Sequence, residues 1–122
     1  MGNISEIIKF AKSEFAHCII EIEGVDSECF SPVWLESHIR SVIQRLNLKV
    51  VAHEKHHFTP HGTTYAHILL SSHMVTHTWP EWSYIHIDLF SCKEMPNDKV
   101  LKARVGEVFQ TDQIKVRRIP YG

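Results

Sequence analysis

Cysteine is scarce in this chain of 122 residues, with Cys18, Cys29 and Cys92 as the whole supply. Three is an odd number, and no two of these residues share the C-x-x-C spacing of zinc knuckles. The sequence therefore argues against both a disulfide framework and a cysteine-based metal site. At least one thiol is expected to be free.

Long apolar runs and a strong charge of either sign are also missing. No stretch approaches the ~20 apolar residues of a membrane span, and the start of the chain contains Glu6 and only the short apolar pair Ile7-Ile8. The formal net charge of -1 gives no general attraction to nucleic acid or anionic lipid. We expect a soluble cytoplasmic protein with no nucleic-acid or membrane partner.

What the chain does have is a hydrophobic period that switches along its length. Its size predicts one domain, residues 1–122, with a single core. Ser31-Pro32 is typical of a helix start, and residues 84–90 alternate between apolar and polar side chains as a strand does. The pattern predicts a helix or arm at about 4–15, helices at 31–47 and 96–109, and strands at 16–23, 48–52, 65–71, 84–90 and 114–119. The predicted fold is α+β, a two-layer α/β sandwich with helices on one face of a largely antiparallel sheet.

Histidine is unusually common, with ten in the chain, and eight of these lie between residues 53 and 86. Neutral imidazole is a frequent metal ligand, so a metal site is the first hypothesis. The run His53-Glu54-Lys55-His56-His57 has the letters of the H-E-x-x-H pattern, but that pattern binds metal on a helix, and this run lies in strand-like sequence. We predict no metal site, and we expect most of these histidines at the surface or hydrogen-bonded in the core.

Four short motifs follow one another between residues 58 and 92. They are Phe58-Thr59-Pro60-His61-Gly62, Ser72-His73, His77-Thr78-Trp79-Pro80-Glu81 and Asp88-Leu89-Phe90-Ser91-Cys92. In this order and spacing they resemble the short prokaryotic S-adenosylmethionine decarboxylases, which are pyruvoyl enzymes of polyamine synthesis. The likeness covers about residues 18–119, and it implies an α/β sandwich.

The resemblance implies that the cofactor comes from the chain itself. In the family a serine hydroxyl attacks the preceding carbonyl, an ester forms, and β-elimination cuts the chain and leaves a pyruvoyl group. Ser72 corresponds to that serine, so cleavage is expected between Ser71 and Ser72, giving fragments 1–71 and 72–122. The pyruvoyl group then forms a Schiff base with the substrate amine and accepts electrons as carbon dioxide leaves. The product is the aminopropyl donor for spermidine synthesis.

The same resemblance assigns roles to five further residues. His77 is the base that takes the α-proton during processing, and Thr64 supplies a hydroxyl for the ester-forming step. Cys92 reprotonates the α-carbon of the substrate. Phe58 stacks on the adenine, and Glu81 binds the ribose hydroxyls.

Two positions depart from the family pattern. Glutamate usually precedes the pyruvoyl-forming serine, where this chain has Ser71, and serine usually stands where this chain has Thr64. Threonine keeps the hydroxyl, whereas Ser71 removes a charge beside the scissile bond and adds a second hydroxyl there, so we expect slow processing. Ser72 remains the predicted nucleophile because its spacing to His77 fits the family. His73 either supports processing or fixes the turn.

Two other functions stay open at this point. One is a pyruvoyl-dependent decarboxylase of another amino acid, such as ornithine or arginine, and the presence of Phe58 and Glu81 counts against it. The other is a non-catalytic, unprocessed homologue that binds an adenosyl ligand or a protein partner, which Ser71 favours. For the preferred function we expect S-adenosylmethionine as the small-molecule partner and a homodimer of processed protomers.

Overall fold

Six strands form one antiparallel sheet in the computed structural model, which describes residues 3–121 apart from the side chains of residues 9–13. The strands are β1 (Ala16–Ile22), β2 (Val50–His57), β3 (Thr63–Leu69), β4 (Ser72–Trp79), β5 (Tyr84–Ser91) and β6 (Ile114–Arg118). Their order across the sheet is β2-β3-β4-β5-β1-β6. The helices are α1 (Ile4–Ser13), α2 (Pro32–Arg45) and α3 (Asp98–Phe109), with 3₁₀ turns at Ser27–Phe30 and Pro80–Trp82.

Side-chain alternation places the core on one face of the sheet. Every second residue of β1 and β5 is buried, as a half-covered antiparallel sheet requires. The helices α2 and α3 cover this face with their apolar stripes. Helix α2 begins with Pro32 in its first turn, and α3 begins where the Asn97 side chain accepts a 2.9 Å hydrogen bond from the Val100 amide. The buried helical side chains are Leu35, Ile39, Val42 and Ile43 on α2 and Leu101, Val105, Val108 and Phe109 on α3.

The predicted α+β sandwich is confirmed, but the described residues form one strand more than the five predicted. The missed strand is β4, whose buried face carries Thr76 and Thr78 where a core strand usually carries apolar side chains. β2 also continues beyond its predicted end at Ala52 to His57, although all its side chains are exposed. Such an edge strand is held by backbone hydrogen bonds to one neighbour, so hydrophobicity gives no signal of its length.

The second face of the sheet, the face directed away from α2 and α3, has a mixed polar and apolar surface. Its half-buried side chains include Ile19 on β1, Ala66 on β3, Val75 and His77 on β4, and His86, Asp88 and Phe90 on β5. These residues are partly withdrawn from water yet do not belong to the buried core. Among the described residues, no helix is long and apolar enough to cross a membrane.

Candidate active site

The hairpin of β3 and β4 carries the predicted cleavage point. Leu69 pairs with Ser72, so Leu70 and Ser71 alone form the turn between the strands. Ser71 has a φ of 56°, a left-handed conformation that costs a residue with a side chain about 1 to 2 kcal/mol. The bond between Ser71 and Ser72 therefore follows a strained residue in a tight turn.

At this turn Ser72 lies against the end of β5. Its hydroxyl is 3.4 Å from the Ser91 hydroxyl, and it accepts a hydrogen bond of the same length from the Cys92 amide. Cys92 is a free, exposed thiol directly after the strand. We call Ser71, Ser72, Ser91 and Cys92 the turn cluster. The structure thus brings together the predicted nucleophile and the predicted proton donor.

At the other end of the hairpin, a cavity of about 550 Å³ opens on the surface. Its lining residues are Phe58, His61, Gly62, Thr63, Thr64, His77, Thr78, Trp79, Glu81 and Trp82. We call it the aromatic cavity, because Phe58 and a stacked pair of indole rings, Trp79 and Trp82 at 6.3 Å, form much of its wall. Its volume lies within the usual range for small-molecule sites, about 300 to 1,000 Å³. Four predicted site residues meet here.

Polar groups in the aromatic cavity are paired with one another. Nδ1 of His77 and the Thr64 hydroxyl are hydrogen-bonded at 2.9 Å, as their positions opposite each other on β4 and β3 allow. The Glu81 carboxylate contacts Nε2 of His61 at the cavity rim. Phe58 is 53% exposed, so one face of its ring is available to a ligand. An apolar wall with a few fixed polar groups suits a nucleoside-like ligand.

The surroundings of His77 favour its neutral form. Burial, followed by the field of the neighbouring His86, lowers its pKa below the ordinary histidine value of about 6.5, and Asp88 opposes the shift more weakly. A neutral imidazole near pH 7 has a free lone pair for proton abstraction. The environment therefore suits the predicted role of His77 as a base.

The turn cluster and the aromatic cavity are well separated within one chain. Ser72 and His77 lie on the same strand, five residues apart, which corresponds to about 17 Å along an extended chain. Alternation also puts them on opposite faces: Ser72 lies on the side of buried Met74, whereas His77 lies on the second face. One chain alone does not bring the imidazole of His77 to the Ser71–Ser72 bond.

His73 is directed away from the Ser72 hydroxyl, although the two residues are neighbours. Its ring stacks on Phe90 at 5.7 Å, and its Nε2 is 3.7 Å from the Asp88 carboxylate. The same carboxylate accepts a 2.8 Å hydrogen bond from His17. These contacts anchor the first residues of β4 to β5, which supports the hypothesis that His73 fixes the turn.

Several residues with no predicted role also contribute to these sites, and three of them make contacts of note. His61 pairs with Glu81, Trp82 closes the aromatic cavity, and Ser91 contacts Ser72. His61 and Ser91 lie inside motifs that were recognised, so membership of those motifs was the available signal. The described residues contain no group of three or more side chains arranged to hold a metal ion.

Comparison with known proteins gives one consistent result. A family model described as S-adenosylmethionine decarboxylase matches residues 16–122. An S-adenosylmethionine decarboxylase proenzyme of Acidithiobacillus ferrooxidans is 28% identical over 111 residues, which cover 90% of this chain and 78% of that protein. A proenzyme of the same name from Clostridium botulinum is 28% identical over 107 residues, covering 87% of this chain and 92% of the relative.

A solved structure shares the fold. The crystal structure of the adenosylmethionine decarboxylase from Aquifex aeolicus superposes with a TM-score of 0.70 and 20% sequence identity. The match covers 89% of this chain and 91% of that one. The sheet and its helices are therefore present in both proteins.

Proposed function

Because this chain belongs to the S-adenosylmethionine decarboxylase family, we propose that it cleaves itself between Ser71 and Ser72 and then decarboxylates S-adenosylmethionine. The observation that carries this proposal is the pair of sites on one hairpin. A serine in a strained turn lies next to the residue that carries a free thiol, and an aromatic cavity with a polar rim lies at the other end. The product is the aminopropyl donor for spermidine synthesis.

Self-cleavage uses only backbone and side-chain atoms of the chain. The Ser72 oxygen attacks the carbonyl carbon of Ser71, the C–N bond breaks, and an ester joins the two residues. A base then removes the α-proton of residue 72, the Cβ–O bond breaks, and Ser71 leaves as a carboxylate. The dehydroalanine that remains takes up water and releases ammonia, which leaves a pyruvoyl group at the new N-terminus. The positive φ of Ser71 favours the reaction, because opening the turn relieves its strain.

The surroundings of residue 72 fit a pyruvoyl group. The Ser91 hydroxyl and the Cys92 amide already lie 3.4 Å from the Ser72 oxygen and are available as hydrogen-bond donors to a carbonyl oxygen. When formed, the group supplies an electron sink for the electrons released with carbon dioxide. Cys92 directly follows Ser91 in the sequence, and its exposed thiol then donates a proton to the substrate α-carbon.

The aromatic cavity is the proposed adenosyl site. Phe58 and the Trp79–Trp82 pair offer ring faces for the adenine and for the sulfonium cation, which aromatic faces attract by about 0.5 to 2 kcal/mol. Glu81 accepts hydrogen bonds from the two ribose hydroxyls, and His61 orients its carboxylate. The retained aromatic and acidic side chains favour S-adenosylmethionine over ornithine or arginine.

The active form is proposed to be a homodimer in which each site combines two chains. The separation of Ser72 from His77, about 17 Å along β4, prevents one chain from completing the site. In this dimer the second faces of the two sheets pack against each other, and a two-fold axis relates the subunits so that their β4 strands run in opposite directions. The aromatic cavity of one subunit then lies toward the turn cluster of the other. The half-buried apolar side chains of the second face, such as Ile19, Val75 and Phe90, suit such contact.

The purified protein provides the test of function. We expect two fragments, 1–71 and 72–122, with a blocked N-terminus on the second, and carbon dioxide release from S-adenosylmethionine. The Ser72→Ala variant is expected to stay one chain of 14.2 kDa and to be inactive. If the wild-type chain stays intact after prolonged incubation, the proposed enzymatic activity is wrong and a binding function is favoured. If carbon dioxide is released from ornithine or arginine but not from S-adenosylmethionine, the proposed substrate is wrong but self-cleavage and decarboxylation stand.

A further inference from the structure

A second cavity, of about 350 Å³, opens between α2 and the strands β2 and β3 and shares no residue with the aromatic cavity. Its floor is apolar, formed by Ile43 and Leu48. Its walls carry the cations Arg40 and Lys49 together with the imidazole ring of His53 and that of one further histidine on β3. None of its described lining residues is acidic. We call it the basic cavity.

That further histidine, His67, is the least satisfied polar group in the basic cavity. It is only 6% exposed, and its buried Nδ1 has no hydrogen-bond partner among the described residues. Buried ring nitrogens are nearly always paired, because an unpaired one costs about 1 to 3 kcal/mol. The ring is also held in place, stacked between His53 at 5.8 Å and Tyr65 at 6.5 Å. His67 is thus a rigid, unpartnered group in the wall of a positively charged cavity.

Positive charge exceeds negative charge around His67. Arg40, Lys49 and His53 line the cavity with it, and the nearest acid, Glu36, is 3.5 Å from Arg40 and 3.0 Å from Lys55. Burial, then the fields of His53 and Arg40, lower the pKa of His67, and Glu36 only partly opposes them. One carboxylate is thus shared between two cations, and Lys49 forms no ion pair with the described residues. The cavity therefore lacks a negative group.

We propose that the basic cavity binds an oxyanion, the phosphate or carboxylate group of a small metabolite. Arg40 and Lys49 supply charge-assisted hydrogen bonds to its oxygens, and the negative charge of the anion favours protonation of the neighbouring His67, whose buried Nδ1 lacks a partner among the described residues. The apolar floor of Ile43 and Leu48 accommodates the carbon atoms of the ligand. The volume is sufficient for a compact metabolite, at the lower end of the range of about 300 to 1,000 Å³. The basic cavity shares no residue with the turn cluster or the aromatic cavity.

Histidine ring signals in NMR spectra of the full-length protein test this proposal directly. Inorganic phosphate and acetate are added in separate titrations, each against sodium chloride of equal ionic strength. We expect a saturable shift of the His67 signals and a rise in the His67 pKa with at least one of the two anions. Stronger binding of phosphate identifies a phosphate-bearing ligand, and stronger binding of acetate identifies a carboxylate.

Two charge-matched variants make the test specific. Lys49→Gln removes one cation from the cavity, and its backbone carbonyl keeps the 2.9 Å hydrogen bond from the Leu70 amide. We expect it to weaken anion binding about fivefold, as the loss of one partly screened charge does. Lys115→Gln removes the same charge from β6, at the opposite edge of the sheet, and is expected to bind as wild type. Shifts that never saturate, or equal weakening in both variants, overturn the proposal.

Discussion

The two ends of the β3–β4 hairpin contrast in chemistry. The turn cluster consists of small hydroxyls, a thiol and backbone amides, with no aromatic ring among its members. The aromatic cavity at the other end has threonine hydroxyls as well, but it adds aromatic rings, two imidazoles and a carboxylate. Under the proposed function, the groups that make and break bonds lie at the turn, and the groups that recognise the ligand lie at the open end. The exception is His77, a predicted processing base that lies with the recognition groups.

This exception has a structural consequence. If His77 acts on the Ser71–Ser72 bond, it acts from another copy of the chain, because both residues are fixed on one rigid strand. If it does not, the neutral imidazole and its 2.9 Å hydrogen bond to Thr64 serve the ligand site alone. The position of His77 therefore makes the proposed homodimer testable.

The largest effect is expected from mixing two inactive chains. Ser72→Ala has no nucleophile and His77→Ala has no base, so each alone is expected to remain an intact chain of 14.2 kDa. In a mixed dimer, Ser72 of the His77→Ala chain meets His77 of the partner subunit, and that chain alone is expected to be cut. Mass spectrometry of co-expressed, differently tagged chains measures this. If the mixed dimers stay uncut, catalysis between subunits is contradicted. If the His77→Ala chain is cleaved normally by itself, His77 is not the processing base.

The next effect concerns turnover at the turn cluster. Cys92→Ala is expected to cleave itself but to lose about 10²- to 10⁴-fold in the rate of carbon dioxide release, the usual value of general acid catalysis. Cys29→Ala is the matched control, because Cys29 lies in a different surface cavity, and it is expected to remain fully active. Full activity of processed Cys92→Ala excludes this thiol as the proton donor.

A smaller effect is expected at the aromatic cavity. Glu81→Gln keeps the size of the side chain but weakens charge-assisted bonds to the ribose, each worth about 1.5 to 3 kcal/mol. We expect normal self-cleavage and a loss of at least about tenfold in kcat/KM for S-adenosylmethionine. Glu28→Gln, at an exposed position outside the cavity, is the charge-matched control. Equal kcat/KM values for Glu81→Gln and wild type remove Glu81 from the ligand site.

Motifs predicted several members of both sites but not the distance between the sites. Ser72 and Cys92 are twenty residues apart in sequence, and they meet because β4 and β5 pair with Phe90 opposite His73. Ser72 and His77 are close in sequence, yet an extended strand holds them apart. The separation follows from β4 being a strand, which the sequence did not predict. The buried threonines of β4 are the reason, since threonine hydroxyls weaken the apolar alternation that marks a strand in sequence.

The edge of the sheet was the other part of the fold that sequence predicted poorly. β2 follows α2 and pairs along its length with β3, but its exposed, histidine-rich sequence has no apolar face. Its register is set by β3, which places His53 opposite His67 and so builds one wall of the basic cavity. The histidines between residues 53 and 86 lie on both faces of the sheet and, at His61, in the loop between β2 and β3.

The smallest effect is expected in the pH dependence of stability, to which His77 at the open end of the hairpin contributes. The pKa of His77 is lowered in the folded protein, mainly by burial. Below the unfolded value of about 6.5 the unfolded chain therefore binds more protons, and the free energy of unfolding falls as the pH is lowered. Urea unfolding of the uncut Ser72→Ala protein at pH 7.5 and pH 5 measures the fall. Adding His77→Gln is expected to make it smaller, whereas adding His56→Gln, at an exposed position on β2, is expected to leave it unchanged. An identical fall in all three proteins shows that the imidazole of His77 is not held neutral by the fold.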